Sequence, residues 1–375
     1  MKLTILTEIL STHSGSRAPI ELARNLARRD QVTLMCFSFN ADHKVKKELE
    51  DMGVKVFLSD VPKFPFGKWL SAFRFLPRLK KQDLISFHGT PPSFLVAKIS
   101  GIPIVENYYG SQLDAYLENF LPNQKPAPKD RMLNWLGNQL TLAIEGTFLA
   151  LSDGAVANSQ YTSTEAKRLY GRTLPFVLHG ASLEQFASPK PIGTLRNDTV
   201  NLLSVSRITP YKGFHLLIEA IKKMRVKCRL FIVGSAPKPK YLSYLEEIGN
   251  ASVEIFTDIS DSELAYLYQH SDIYVSCDRY LFFGLPIIEA ALFEKPSVVL
   301  DYCAAREVIE QNETGFVAKN LPEFTKYVEL LINNPNQRTI MGQRAKVRAQ
   351  KYFLWKKSAE DHRKLFVEVR RKTKG

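Results

Sequence analysis

The segment LFFGLPIIEAALFEKPSVVL, from Leu281 to Leu300, has the pattern of a helix followed by a β-strand. Gly284 and Pro286 stand where the chain turns into the helix, because proline is well suited to a first helical turn. The apolar run SVVL at the end predicts a buried strand. A single carboxylate, Glu289, lies among the apolar residues of the predicted helix. The segment therefore indicates an α/β fold and raises the question of what Glu289 contacts.

The rest of the chain repeats this alternation of short β-rich runs and longer amphipathic stretches. A turn-rich stretch, ASPKPIGTLRND at 187–198, separates two series of such runs. The first series is KLTILT, VTLMCFS, VKVFL, DLISF, IPIVE, GAVAN and LPFVL, and the second is VNLLSVS, CRLFIVG, VEIF, DIYVS and SVVL. We therefore expect two doubly wound α/β domains, with ligands bound in a cleft beyond the carboxyl ends of the strands.

Length and composition fit two globular domains. The chain has 375 residues, of which 45% are hydrophobic and 24% charged, as in ordinary folded proteins. We expect an N-terminal domain at 1–187, a linker at 188–198, a C-terminal domain at 199–355 and a basic C-terminal helix at 356–375. No run approaches the ~18 apolar residues that span a bilayer. A cytoplasmic location is expected, with peripheral contact at the inner face of the membrane as a further hypothesis.

The net charge of +13 is concentrated near the end of the chain. Residues 338–375 contain 13 Lys and Arg and three acids, which gives 13 − 3 = +10. A second basic run, at 63–81, carries six Lys or Arg, no acid and five large aromatic residues. Such segments suit an anionic membrane surface or a nucleic acid, and a helix with a solvated basic face is the plainer alternative. Because no nucleic-acid-binding module accompanies them, no nucleic-acid partner is expected.

The cysteines do not indicate a metal site. They have no metal-ligand spacing, and three of them lie in apolar or strand-like runs. The four residues are Cys36, Cys228, Cys277 and Cys303. We interpret them as core thiols. The sequence also has no Asp-x-Asp metal motif, so no metal is expected.

Junctions between strands and helices in the second half could hold a nucleotide. Arg207 follows a strand and Lys212 precedes a helix, so two cations stand where a diphosphate needs its charge neutralised. The helix start at Gly284 offers amide groups to an anion, and Glu289 could accept hydrogen bonds from a ribose. Gly234, after another strand, can bring the backbone close to a ligand. The plainer alternatives are solvated loop cations and a helix-start acid.

Six segments, in order, resemble glycosyltransferase family 4, the retaining, nucleotide-sugar-dependent enzymes of GT-B fold. They are SRITPYKG, FIVGSAP, DISDSELAYLYQHSDIYVS, FFGLPIIEA, KPSVV and REVIEQNETGFV, and they cover most of residues 200–318. The resemblance implies two Rossmann-like domains facing a cleft, with a C-terminal helix that crosses back to the N-terminal domain. It also implies transfer of a sugar from a nucleoside diphosphate sugar to a glycan or lipid-linked acceptor, as in polysaccharide biosynthesis of the cell envelope, without a metal or other cofactor.

The same resemblance implies roles for individual residues. The catalytic residues Arg207 and Lys212 would hold the donor diphosphate. The donor-binding residues would be Phe283, Gly284 and Leu285 at the phosphate and sugar, Gly234 at the donor, and Glu289 at the ribose. The N-terminal half resembles the family more weakly, and its acceptor-side residues would be Gly15, Ser16, His88 and Tyr109.

One position departs from the family pattern. Family members usually carry two glutamates separated by seven residues; the second is Glu289, but Leu281 occupies the first position. Asp278, three residues earlier, is a speculative substitute. Because leucine cannot hydrogen-bond a sugar, this departure implies a deoxy-sugar donor or weak activity. The alternative function is a non-catalytic sugar-nucleotide-binding or partner subunit with a degenerate donor site.

Overall fold

The first half of the chain forms one parallel β-sheet. The computed structural model describes residues 1–11, 17–37, 41–59, 67–114, 116–117, 120–193 and 198–374. The strands of the first half are β1 (Lys2–Thr7), β2 (Gln31–Cys36), β3 (Lys55–Leu58), β4 (Leu84–His88), β5 (Ile104–Tyr108) and β6 (Gly154–Ala157). They pair in the order β3-β2-β1-β4-β5-β6, and every pair is parallel. Their apolar runs are nearly continuous because helices cover both faces of such a sheet.

Seven helices flank the first sheet. They are α1 (Arg17–Leu26), α2 (His43–Asp51), α3 (Gly67–Phe73), α4 (Leu76–Leu79), α5 (Pro91–Ile99), α6 (Pro128–Leu151) and α7 (Gln160–Tyr170). Successive residues of a strand point to opposite faces. Leu3 and Ile5 of β1 accordingly pack with α1 and α2, whereas Leu6 packs with α3 to α6. The first domain therefore has an α1–α2 side and an α3–α6 side.

The second half forms another parallel sheet with the same topology. Its strands are β7 (Val200–Val205), β8 (Cys228–Val233), β9 (Val253–Phe256), β10 (Ile273–Ser276), β11 (Ser297–Leu300) and β12 (Gly315–Ala318). Their order is β12-β11-β10-β7-β8-β9, all parallel. Numbered from the first strand of each domain, both sheets have the doubly wound order 3-2-1-4-5-6. The prediction of two Rossmann-like domains is confirmed.

Helices cover both faces of the second sheet as well. The helices of this half are α8 (Phe214–Lys223), α9 (Pro239–Ile248), α10 (Asp261–His270), α11 (Leu285–Leu292), α12 (Ala305–Val308), α13 (Leu321–Asn333) and α14 (Pro335–Tyr352). One face packs against α8, α9 and α13, and the other against α10, α11 and α14. Cys36, Cys228 and Cys277 are buried and Cys303 is half-buried. Three of the four predicted core thiols therefore lie in the core.

The last helix, α15 (Trp355–Lys374), returns to the first domain and packs against α1. Phe366 is buried in the core on the α1–α2 side. Arg363 pairs with Asp30 at 2.6 Å, and Arg370 pairs with Asp83 at 2.7 Å. The predicted crossing of the C-terminal helix is confirmed, and part of its positive charge is used in attaching it to the first domain.

Candidate active site

A cavity of about 500 Å³ lies between the two domains, within the usual size range of small-molecule sites. From the first domain, Arg17 of α1 lines it. From the second domain, the lining includes Arg207, Gly234, Leu285 and Glu289. These four residues, separated along the chain, were predicted to meet a nucleotide, and the fold brings them to one cavity.

Glu289 is held inside this cavity by the start of α11. Gly284 caps the helix with a φ of 93°, a conformation that suits glycine, and Pro286 lies in the first turn. The Glu289 side chain is nearly buried, with 4% of the residue exposed. Its Oε1 accepts a hydrogen bond from Nη1 of Arg17 at 2.8 Å, and its Oε2 accepts one from the hydroxyl of Tyr268 at 2.8 Å. A solvated helix-start acid, the plainer alternative, does not describe this residue.

Arg17 joins the two domains at the cavity. Besides Glu289, its guanidinium lies 3.4 Å from a carboxylate oxygen of Asp261, the first residue of α10. Burial by itself lowers the pKa of Arg17, but Glu289 and Asp261 outweigh it, so the pKa is raised and the charge is kept. Sequence reasoning did not single out Arg17. The signal that could have indicated a role for Arg17 is its position in the first turn of a helix, where the helix dipole disfavours positive charge.

Arg207 is placed by a close approach between two strand ends. A Cβ atom at Gly234, after β8, would lie 1.7 Å from the carbonyl oxygen of Ser206, so only glycine lets these backbones meet. Arg207 is exposed, and its Nη2 donates to the hydroxyl of Tyr211 at 2.9 Å. No carboxylate among the described residues forms an ion pair with it. The guanidinium is therefore available to an anionic ligand.

Lys212 is in a different state. It ends the 3₁₀ turn Pro210–Lys212, and its Nζ lies 2.6 Å from Oδ2 of Asp278, which follows β10. The two side chains expose 14% and 7% of their surface. Lys212 is not among the described residues that line the cavity. A diphosphate at this point has to share Lys212 with Asp278, or displace that carboxylate.

The aromatic and apolar residues before α11 point into the protein. Leu281 exposes 6% and Phe283 exposes 4% of their surface, and both belong to the core of the second domain. The ring of Phe283 packs against that of His179, with centroids 5.4 Å apart. The Phe283 side chain is therefore not placed to contact a phosphate. The backbone of Phe283 and Gly284 is suited to that contact instead.

Of the predicted acceptor-side residues, the structure brings His88 and Tyr109 together. A hydrogen bond joins Nδ1 of His88 to the Tyr109 hydroxyl, and Ser86 Oγ lies 2.9 Å from Nε2 of His88. Burial lowers the pKa of His88 to about 3, so the ring is neutral near pH 7. Gly110, the next residue after Tyr109, lies against the ring of Phe282 from the second domain. The other two predicted acceptor-side residues, Gly15 and Ser16, lie outside the described residues.

The described residues show neither a metal-binding cluster nor a membrane-spanning helix. No group of three or more His, Cys, Asp or Glu side chains lies together as a metal site requires. No described helix is both long and apolar enough to cross a bilayer. Independence from metals stays a prediction.

Two family models match the chain, one on each domain. The model described as Glycosyltransferase Family 4 matches residues 16–179, and the model described as Glycosyl transferases group 1 matches residues 190–348. Each match contains residues that line the cavity.

Two curated relatives carry glycosyltransferase names. An uncharacterized glycosyltransferase of Haemophilus influenzae is 26% identical over 233 residues, which are 60% of this chain and 64% of the relative. The capsular polysaccharide biosynthesis glycosyltransferase CapM of Staphylococcus aureus is 26% identical over 167 residues, 42% of this chain and 43% of the relative. The chain thus spans less than two thirds of the length of either relative.

A solved structure matches over nearly the whole chain. Anabaena Alr3699/HepE, determined in complex with UDP and glucose and also with UDP-glucose, covers 98% of this chain and 100% of its own. The TM-score is 0.77 and the sequence identity is 19%. At this identity the likeness establishes the fold alone.

Proposed function

The chain is a glycosyltransferase of the family 4 type with the GT-B fold, and we propose that it transfers a sugar from a uridine diphosphate sugar to a hydroxyl of a glycan or lipid-linked acceptor, with retention at the anomeric carbon. The observation that carries the proposal is that Glu289, a buried carboxylate one turn into α11, and the exposed Arg207 line one interdomain cavity. A ribose and a diphosphate need groups of this kind. The choice of uridine is supported by Alr3699/HepE, which was solved with UDP.

In this proposal Glu289 accepts hydrogen bonds from the ribose hydroxyls. To do so it shares or releases the bonds from Arg17 and Tyr268, so nucleotide binding is coupled to a contact between the domains. Arg207 donates a fork of hydrogen bonds to the diphosphate, and the free amides at the start of α11 face the same charge.

The chemical step needs no protein nucleophile. Arg207, Lys212 and the helix start stabilise the negative charge that develops on the departing diphosphate, and the acceptor hydroxyl attacks the anomeric carbon from the same face. His88 is neutral and hydrogen-bonded to Tyr109, so it can take part as a polar contact but carries no charge near pH 7. We propose that these groups make a metal unnecessary.

The acceptor proposal has support from a relative. CapM is named for capsular polysaccharide biosynthesis, and we propose that this chain also extends an envelope polysaccharide, as a cytoplasmic enzyme in peripheral contact with the membrane. A deoxy-sugar donor is the finer proposal. It is supported by Leu281, because family members usually carry a glutamate at this position and leucine offers a sugar hydroxyl no hydrogen-bond partner.

A second candidate function is a non-catalytic subunit that binds a sugar nucleotide. Two observations favour it, the buried Leu281 and the ion pair between Lys212 and Asp278. Both functions predict nucleotide binding, but only the enzyme predicts turnover. The test is to measure thermal stabilisation by UDP, GDP, ADP and dTDP, and then release of the nucleoside diphosphate from its sugars in the presence of membrane extract. Binding without release from any donor would support the subunit and contradict the enzyme.

A further inference from the structure

Half of the exposed large hydrophobic side chains in the described part of the chain lie on three neighbouring helices. Of 22 such side chains, 11 belong to α3, α5 and α6, within residues 69–73, 95–99 and 132–151. Leu136 and Leu140 of α6 expose 48% and 62% of their surface. Single exposed apolar residues are ordinary, but a contiguous patch of them marks a contact surface. We call this patch the α3–α5–α6 face.

The patch is contiguous because one side of α6 is apolar. Leu133, Leu136, Leu140 and Ile144 follow one another at intervals of three or four residues, which places them on one side of the helix. From Ile144 onward this side lines an apolar groove of about 350 Å³. Trp69 of α3 lines the same groove. The groove therefore joins the exposed side of α6 to the exposed side of α3.

The charges near this face are mostly positive. The segment 67–81, which contains α3 and α4, has five Lys or Arg and no acid. Along α6 there is no acid between Asp130 and Glu145, and Arg131 is exposed. Lys98 stands at the groove. Aromatic and aliphatic side chains flanked by cations suit the interface of an anionic bilayer, where apolar groups enter the interface and cations meet phosphates.

The basic tail belongs to a different side of the first domain. Helix α15 packs on the α1–α2 side of the first sheet, and the α3–α5–α6 face lies on the other side. Part of the tail's charge is also engaged, since Arg363 and Arg370 pair with Asp30 and Asp83. Of the two basic segments in the sequence, only 67–81 therefore belongs to the apolar face.

We propose that the α3–α5–α6 face docks on an anionic lipid bilayer, and that the tail does not. A bilayer is favoured as the occupant because its apolar interior is complementary to the apolar stripe of α6, and its anionic headgroups are complementary to the cations of 67–81. Docking would bring a lipid-linked acceptor to the cleft, and this purpose rests on the proposed function. Vesicle binding itself is measured without donor or acceptor, so the two proposals can fail separately.

The experiment compares full-length variants by co-sedimentation with vesicles of phosphatidylcholine, with and without phosphatidylglycerol. The test variant is Leu136→Ser/Leu140→Ser. A matched control, Ile340→Ser/Val347→Ser, changes side chains of α14 that are 50% and 64% exposed in the other domain. A second comparison, Arg371→Gln/Lys372→Gln, removes two exposed charges of the tail. Sedimentation velocity without vesicles reports self-association, and a thermal unfolding curve without ligand reports that each variant is folded.

We expect binding to the anionic vesicles to fall about tenfold or more in the Leu136→Ser/Leu140→Ser variant, because two leucines no longer enter the interface. The α14 and tail variants should bind like the unaltered protein, and binding to phosphatidylcholine alone should be weaker throughout. The proposal is overturned if the α6 variant binds fully, if the tail variant loses as much, or if the unaltered protein binds neither vesicle. A dimer of the unaltered protein that this variant dissociates would assign the face to a second copy of the chain instead.

Discussion

The two ends of the proposed donor site use their side chains differently. At the proposed ribose end, Glu289 lines an open cavity, which Arg207 also lines as the proposed diphosphate ligand. At the sugar end, Leu281 is buried in the core and Lys212 already pairs with Asp278. Binding of the nucleotide and transfer of the sugar therefore depend on different groups. Affinity and turnover should respond separately to substitution.

The largest effect is expected from Arg207→Ala. This change removes the cation that is proposed to contact the diphosphate, which lies between the ribose and the sugar. Turnover should fall about tenfold or more, equivalent to ~1.4 kcal/mol or more of transition-state stabilisation, because a charge-assisted contact to the leaving group is lost. Release of UDP from the preferred donor measures this. The matched control is Arg225→Ala, an exposed arginine of the same domain. Full activity of the Arg207 variant would mean that the diphosphate lies elsewhere.

Glu289→Gln tests the ribose end alone. The amide keeps an acceptor oxygen but loses the charge that strengthens its hydrogen bonds, so the affinity for free UDP should fall about tenfold. Calorimetric titration with UDP measures this without any sugar. Glu246→Gln, at an exposed position of α9, is the control. Equal affinities of the two variants would make Glu289 a structural partner of Arg17 rather than a ligand of the ribose.

Acid should weaken the packing behind the sugar end. Burial lowers the pKa of His179, with His362 and His88 adding to the effect, whereas an unfolded histidine has a pKa near 6.5. Below pH ~6.5 the unfolded state then binds a proton that the folded state lacks. The stability from a neutral His179 is present above that pH and is lost as the pH falls.

The measurement is the unfolding free energy in urea between pH 7.5 and 5. In the unaltered protein His179 should contribute a slope of up to about 1.4 kcal/mol per pH unit below pH ~6.5. His179→Asn should reduce the slope, whatever it does to stability at pH 7.5. An unchanged slope would show that His179 is not the group that titrates on unfolding.

Asp278→Asn should have a smaller and opposite effect. It removes the carboxylate that holds Lys212, so the lysine becomes available to the diphosphate and the affinity for UDP should rise about threefold. The gain is modest because the nearly buried lysine also loses a charged partner in the unliganded protein. Titration with UDP measures the gain, and the Lys212→Ala/Asp278→Asn double variant should abolish it. Weaker binding by Asp278→Asn would instead assign Asp278 a direct contact with the donor.

The smallest effect is expected from metal removal. Because Arg207 and the start of α11 supply the positive charge at the diphosphate, UDP release should be the same after dialysis against EDTA as before. A loss of activity that Mg²⁺ or Mn²⁺ restores would contradict the metal-independent reaction.

The start of α11 and the place of Glu289 in it follow from the sequence because their determinants are local. Gly284 and Pro286 predict the start of α11, and Glu289 follows within the same helix. The alternation of strands and helices likewise predicts both domains, since each strand carries its own apolar run. The partner of Glu289 could not be predicted, because Arg17 lies 272 residues away in the chain and reaches it only when the domains face each other.

The Lys212–Asp278 pair and the α3–α5–α6 face depend on the folded structure rather than on local sequence patterns. The pairing of Lys212 with Asp278 depends on two strand ends that meet in the sheet, 66 residues apart. The apolar stripe of α6 resembles a core-facing stripe in the sequence, and only the fold shows that Leu136 and Leu140 are left uncovered. Conversely, the basic tail suggested a membrane contact, but α15 packs against the first domain.

The central claim is that the cavity holds a nucleoside diphosphate whose sugar is transferred. The most direct measurement is release of UDP from a panel of UDP-hexoses and UDP-deoxyhexoses with membrane extract as the source of acceptor, comparing the unaltered protein with Arg207→Ala. The account predicts release from at least one donor by the unaltered protein and a loss of about tenfold or more in the variant. Calorimetric binding of UDP without release from any donor, or equal release by both proteins, would contradict it.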